Sequence, residues 1–435
     1  MRPFPALSPV APPGRLLLPT GLELPDPRPR CRGQAGWGGF PRLLLLLLFG
    51  LATAPGRSDE KPAAAADKNH RAPPAPTQRV AVVVRDEGDE GKERELEGTI
   101  VVEAEDGGML LEFADQRLEL VQPSGLLSRV PLDGAPPQAT SRELGKRILT
   151  ELPDGFELLV TRHYVICFDT SRAYAQWCGA LFEKLHDAFA NYWGKAGVVI
   201  EPPQKPLIVV IFADRQRYET FAARDLGAAA DRVVGYYNLL TNRVTTFDIT
   251  GSDAVARRPA TSPGRAGLEI LASPEAAGLI STLVHEASHQ MAFNCGMHRR
   301  LAPVPVWLSE GVATFFETPD PGGRGWRGIG GVNRPRLEKF LSTYRPGVLE
   351  AIVIDDTPFR EADSAIDAYA RAWALTAFLA QTRKADLVRY LHSIAAKDPL
   401  GDDGPETRRE DFVAAFGVEP RELEEPLLKF LARWK

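Results

Sequence analysis

A chain of 435 residues is long enough for two or three domains with substantial cores, and its composition, 44% hydrophobic and 25% charged, is that of an ordinary soluble globular protein. A net charge of −5 leaves no electrostatic footprint for nucleic acid as a partner. There is no Walker loop and no convincing dinucleotide fingerprint, because the glycine-rich stretch from Gly322 to Gly331 follows no strand-like run and reads as a loop.

Residues 1–55 read as an extended N-terminus carrying an export signal. Arg42 precedes Leu43 to Leu48 and then Phe49-Gly50-Leu51-Ala52-Thr53-Ala54, a basic residue followed by about twelve apolar ones and an Ala-x-Ala ending. The run is too short for a comfortable membrane span of roughly twenty residues. The proline- and arginine-rich stretch before it is an odd extension for a signal, consistent with a misassigned start. Pro55 is unfavourable just after a cut at Ala54, which leaves cleavage after Ala52 or an uncleaved membrane tether open. No cysteine follows the apolar run directly, which argues against a lipoprotein. The expectation is an exported protein, whether secreted, periplasmic or held at the cell surface.

Residues 56–77, rich in alanine, proline and charge, read as a disordered linker. Residues 78–135 alternate β-type runs with polar turns: Val80 to Val84, Thr99 to Val102, Met109 to Phe113 and Leu118 to Val121. They predict a small antiparallel β module, a barrel being one form of it, with a spacer or an adaptor role equally open. Gly134-Ala135-Pro136-Pro137 marks its end. From about Ser141 to the C-terminus the pattern predicts a strand over Leu158 to Phe168, a helix from Ser171 to Trp193 and an apolar strand from Leu207 to Phe212. A helix from about Arg215 comes next, then a hairpin whose arms are Val233 to Tyr237 and Arg243 to Phe247. Beyond residue 310 helices are expected near 334–343, 364–382, 384–395, 406–415 and 420–434. Strands first and helices after make an α+β layout. Of the cysteines, Cys31, Cys167, Cys178 and Cys295 are too few for a disulfide scaffold in a chain this long, and read as buried thiols.

Between the two halves lies the chemistry. Residues 285–289 are His-Glu-Ala-Ser-His, on a stretch that Ser273-Pro274-Glu275 starts as a helix and Asn294 with Gly296 stops. Positions i and i+4 share a helix face, so His285 and His289 can reach one metal ion. Glu286 lies one residue further round, where a carboxylate touches a water rather than the metal. Trp307-Leu308-Ser309-Glu310-Gly311-Val312-Ala313 follows on a second helix, and Glu310, 310 − 289 = 21 residues on, is the third ligand. Three protein ligands with a fourth position open is the pattern of catalytic zinc, one ion per chain.

HEASH followed by WLSEGVA resembles the gluzincins, zinc metallopeptidases whose third ligand is a glutamate on the helix after the HExxH helix. HYVICFDTSRAYAQWCGALFE, GYYNLLTNRVTTFD, HEASHQMAFNCG and WLSEGVATFFETPD are similar to phrases of a secreted, largely uncharacterised branch of the peptidase MA-like superfamily, a domain of unknown function. The resemblance covers about residues 155–430. It implies a zincin-like catalytic domain over residues 141–435, with a mixed sheet, an active-site helix and a helical subdomain. It also implies a peptide or protein substrate and Glu286 as general base. Tyr369-Ala370-Arg371-Ala372-Trp373-Ala374-Leu375 is similar to the Tyr-x-Lys-Gly-Ala helix of aminopeptidase-type gluzincins, which implies that Tyr369 stabilises an oxyanion; its other reading is a tyrosine packed beside Trp373. No Gly-x-Met-Glu-Asn segment is present to hold a free amine, which favours internal cleavage. Thr314 stands where thermolysin-like enzymes have an aspartate, so a carboxylate behind a histidine must come from elsewhere.

The remaining histidines read differently. His70 falls in the linker, His186 and His392 sit in helical stretches as packed or surface residues, and His163 is a candidate for the substrate groove. His298 lies 298 − 289 = 9 residues past the second histidine, which does not fit the metzincin spacing. Trp307, Phe315 and Phe316 are expected to pack the Glu310 helix into the core. Two non-enzymatic readings stay open: a zinc-binding scaffold without catalysis, and a surface protein whose β module makes the contacts.

Overall fold

The first sheet contains β1 (Arg79–Arg85), β2 (Glu93–Glu103), β3 (Met109–Glu112), β4 (Leu118–Val121) and β5 (Leu126–Leu132), in the order β4-β3-β2-β1-β5 with antiparallel neighbours throughout. Strict alternation along β1 sends Val80, Val82 and Val84 inward, where they meet Leu96, Met109, Leu111, Phe113 and Val121. Only residues 122–125 join β4 to β5, although these are the two edges. A flat sheet would hold its edges about 19 Å apart, four strand spacings. Because the 3₁₀ turn Pro123–Gly125 shortens the link well below its extended reach, the sheet curls until its edges approach. β5 was not foreseen: Ser128, Arg129 and Pro131 dilute its apolar pattern, and a proline is tolerated there because the strand lies at an edge.

This computed structural model describes residues 78–85, 92–134, 139–251, 274–318, 329–361 and 363–434. The export signal, the linker, the Gly134–Pro137 boundary beyond Gly134 and most of the glycine-rich loop fall outside them. None of the described helices is long and apolar enough to cross a membrane.

The second sheet is mixed. β6 (Glu157–Val160), β7 (Tyr164–Phe168), β8 (Leu207–Phe212), β9 (Gly235–Asn238) and β10 (Arg243–Phe247) run in the order β6-β7-β8-β10-β9. β7, β8 and β10 are parallel, and β6 and β9 are antiparallel edges. The single strand expected over 158–168 is therefore a hairpin. Thr161, Arg162 and His163 turn the chain, and Glu183 pins that turn by accepting from the Thr161 hydroxyl at 2.6 Å and the His163 N–H at 2.8 Å. Helices α1 (Ser141–Leu149), α2 (Arg172–Ala196) and α3 (Arg215–Leu226) pack on the sheet, the last two as its crossovers. Parallel strands covered by helices explain why Leu207 to Phe212 is buried at every position.

Helix α4 (Pro274–Asn294) lies against β9, β10 and α2. After it come α5 (Val306–Thr314), α6 (Arg334–Thr343), α7 (Val348–Ile354), α8 (Thr357–Arg360), α9 (Ala365–Thr382), α10 (Lys384–Ala395), α11 (Pro405–Phe416) and α12 (Glu424–Leu431). The architecture is α+β, an antiparallel sheet and a mixed sheet followed by helices. α5 and α9 sit at the centre of the helical part, and every α5 residue from Trp307 to Thr314 is buried. The second sheet and the helices share one hydrophobic core, while the first sheet has its own.

Candidate metal centre

Apolar spacing fixes the orientation of α4. Leu283, Val284, Ala287 and Met291 bury against the core, which turns His285 and His289 toward α5. Two features of sequence bring α5 close enough to meet them. Gly311 is one: a Cβ there would sit 2.0 Å from Thr376 Oγ1 and 3.0 Å from the Ala372 carbonyl, so glycine allows α5 to lie directly on α9. Replacing Gly311 with alanine is expected to cost about 1–3 kcal/mol through overpacking, read as a lower denaturation midpoint with unchanged slope. The other is a distant cap. Pro305 offers no side chain to the first turn, and Asp356 accepts from the Val306 N–H at 3.1 Å while Arg408 holds that carboxylate at 2.7 Å.

The result is a tight constellation. Glu310 Oε2 lies 3.1 Å from His285 Nε2 and 3.4 Å from His289 Nε2, and the two imidazole nitrogens are 3.0 Å apart. One donor atom from each of the three residues lies within 4.8 Å of the others, so the group could hold a metal ion. Orientation makes the fit specific. His285 Nδ1 is 3.0 Å from Glu317 Oε1, and His289 Nδ1 is 3.2 Å from Ser309 Oγ. With Nδ1–H directed outward to those partners, both Nε2 lone pairs converge on Glu310. Glu310 is 1% exposed, yet neither of its oxygens accepts a well-formed hydrogen bond. A buried carboxylate without donors is costly, and a cation among the three donor atoms removes the cost.

The electrostatics agree in sign. Burial pushes the Glu310 carboxyl up, but the His289 and His285 imidazoles outweigh it and hold it at about 2. For His285 burial works against the charged form, and the Glu310 and Glu317 carboxylates reverse this, raising it to about 10. The centre is therefore built to hold positive charge.

Glu317 is the residue that sequence reasoning missed. It stands seven residues past Glu310 and supplies the carboxylate that Thr314 does not. Arg336 grips it through Nε at 2.6 Å and Nη2 at 2.5 Å, and Asn333 Nδ2 donates at 2.9 Å. No spacing rule finds a partner reached from the end of one helix and the start of another. Replacing Glu317 with glutamine is expected to weaken metal affinity by about 10–100-fold, measured by competition with a chromophoric chelator.

Glu286 and Tyr369 face the same cleft. Glu286 Oε2 accepts from the Tyr237 backbone N–H at 2.8 Å, and burial pushes its carboxyl above the usual range. Tyr369, partly buried, lies with its ring 6.3 Å from that of His285, edge-on to Phe359 and 5.7 Å from the Arg336 guanidinium carbon. Burial, then the Glu310 and Glu286 charges, push its hydroxyl well above its ordinary range, so it stays a hydrogen-bond donor. The cleft has a volume of about 210 Å³, and Arg232 to Tyr237, Thr282 and these site residues line it.

Other expectations are settled by position. His163 is not at this cleft: it is 2.7 Å from Glu183 and stacks on His186 at 3.6 Å, on the β6–β7 turn and α2. His298 is buried against Phe293, and burial lowers it to about 3. His392 accepts from the Val199 N–H. Cys167, Cys178 and Cys295 are free, buried thiols. Trp307, Phe315 and Phe316 are buried as expected, Trp307 stacking on Tyr390.

A family described as a protein of unknown function (DUF1570) matches residues 279–401, a span that runs from α4 past α10 and contains His285, Glu286, His289, Glu310 and Tyr369. No curated protein matches the chain.

Proposed function

We propose that the chain is an exported zinc metallopeptidase with a zincin-like catalytic domain, acting on peptide or protein substrates. The observation that carries this reading is the buried Glu310 carboxylate, with no well-formed hydrogen bond and with two imidazole nitrogens converging on it at 3.1 and 3.4 Å, and Glu286 in the adjoining cleft. Two imidazoles and one carboxylate suit zinc. Zinc, when bound by His285, His289 and Glu310, supplies a Lewis acid that activates water and polarises a carbonyl.

The chain's own residues do the rest. Glu286 takes a proton from the attacking water and passes it to the leaving amine, a role suited to a carboxyl whose proton affinity is raised by burial. The Tyr369 hydroxyl donates to the oxyanion that develops on the substrate. β9 is an edge strand beside the cleft, and an extended peptide docks on the outward backbone groups left free beside the Tyr237 N–H, which Glu286 holds. Of the cleft-lining side chains, the carboxylates are Glu286 and Glu310, both committed to other roles. Neither is free for a substrate amino terminus, which favours internal cleavage.

The test is a peptide-library digest with the metal removed and restored. Cleavage that disappears with a chelator and returns with one equivalent of zinc supports the proposal. Stoichiometric zinc with no turnover of any peptide leaves a metal-binding scaffold instead.

A further inference from the structure

The first sheet and the second have separate hydrophobic cores, and a polar network joins them. Its centre is a pair of buried amides in left-handed backbone. Gln116, in the β3–β4 turn, has φ 74° and is 1% exposed; Asn242, at the end of the β9–β10 turn, has φ 58° and is 1% exposed. Asn242 Nδ2 donates to Gln116 Oε1 at 2.8 Å, and Gln116 Nε2 donates to the Pro206 carbonyl at 2.7 Å. Around them the Leu118 N–H bonds the Leu240 carbonyl at 2.7 Å, and Arg300 bridges Glu112, the Gln116 carbonyl and the Leu239 carbonyl. Arg243 completes the seam by pairing with Asp115.

From Asn242 the network runs on toward the cleft. Its Oδ1 accepts from the Tyr237 hydroxyl at 2.7 Å and from Asn294 Nδ2 at 2.8 Å, and its carbonyl accepts from Gln290 Nε2 at 2.9 Å. Gln290 and Asn294 are on α4, the helix that carries Glu286. Tyr237 is thus held at both ends: its hydroxyl by Asn242, its backbone N–H by Glu286.

We propose that the first sheet is an internal part of the active site, and that Gln116 and Asn242 are positioning residues through which it fixes β9 against Glu286. A buried network specifies one arrangement through the members that are satisfied, here Gln116 and Asn242, while Gln290 Oε1 and Arg243 Nε at its margins have no partner among the described residues. The sheet is then neither a spacer nor a free adaptor, and the residues that position the cleft begin well before residue 141.

Glycine at either position removes the amide but keeps the left-handed backbone, so Asn242→Gly and Gln116→Gly test the link without straining the turns. Val82→Ala, which hollows the first sheet's core without touching the seam, is the control. Hydrogen exchange of the backbone amides of residues 235–238 is the first readout, and it does not depend on the peptidase reading. Both glycine variants should exchange there about tenfold faster than wild type, and Val82→Ala should not. The second readout rests on that reading: kcat should fall by on the order of 10²-fold in the glycine variants with KM and zinc affinity little changed. Asn242→Asp, which keeps the acceptor for Tyr237, should recover part of the loss. Unchanged exchange in Gln116→Gly, or an equal rise in Val82→Ala, overturns the proposal. Absence of turnover in wild type would sink the peptidase reading alone, since the exchange result stands apart from it.

Discussion

Glu286→Gln should lower peptide turnover by about 10²–10⁴-fold, the range that a positioned general base contributes, while zinc content and melting temperature stay near wild type. Glutamine is isosteric and its carbonyl oxygen can still accept from the Tyr237 N–H, so the edge strand keeps its partner. His285, His289 and Glu310 are untouched, so the metal stays. What is lost is the capacity to take a proton. Retained turnover would place the base elsewhere, and loss of zinc with turnover would make Glu286 a structural residue.

The second large effect concerns Glu310. A four-ligand zinc site is worth about 10–16 kcal/mol, so one ligand carries about 3 kcal/mol, or roughly 10²-fold in affinity. Glu310→Ala should therefore weaken zinc binding by about that factor or more, because water in the vacated space is neutral and His285 and His289 then face the ion alone. Isothermal titration against a competing chelator measures it. The loss should exceed that of Glu317→Gln, since Glu317 only orients His285. Equal affinities for wild type and Glu310→Ala would remove the carboxylate from the coordination sphere.

Much of the fold could be read from the chain because periodicity and burial coincide. The helix expected at 334–343 matches α6, and the strand at Leu207 to Phe212 matches β8, where a short, fully apolar run has a two-sided core to fill. The hairpin at 158–168 was missed because Thr161 to His163 continue a β-like pattern, and what turns them is Glu183 on another element. β5 was missed because an edge strand needs few apolar residues. At the site the i, i+4 histidines and Glu310 were legible, since the geometry of a helix converts spacing directly into proximity. Glu317, the Asp356 cap and the Gln116–Asn242 seam were not, because each depends on tertiary contacts over 32, 50 and 126 positions. His163 shows the converse error, a polar residue beside an apolar run that suggested the substrate groove but is committed to Glu183 in space.

X-ray absorption at the zinc edge of the loaded protein tests the central claim most directly. Two imidazole shells with nitrogen near 2.0–2.1 Å, the remaining donors oxygen and one ion per chain, are the predicted result, with one imidazole lost in His289→Ala. A sulfur shell near 2.3 Å, or a spectrum unchanged by His289→Ala, would contradict it.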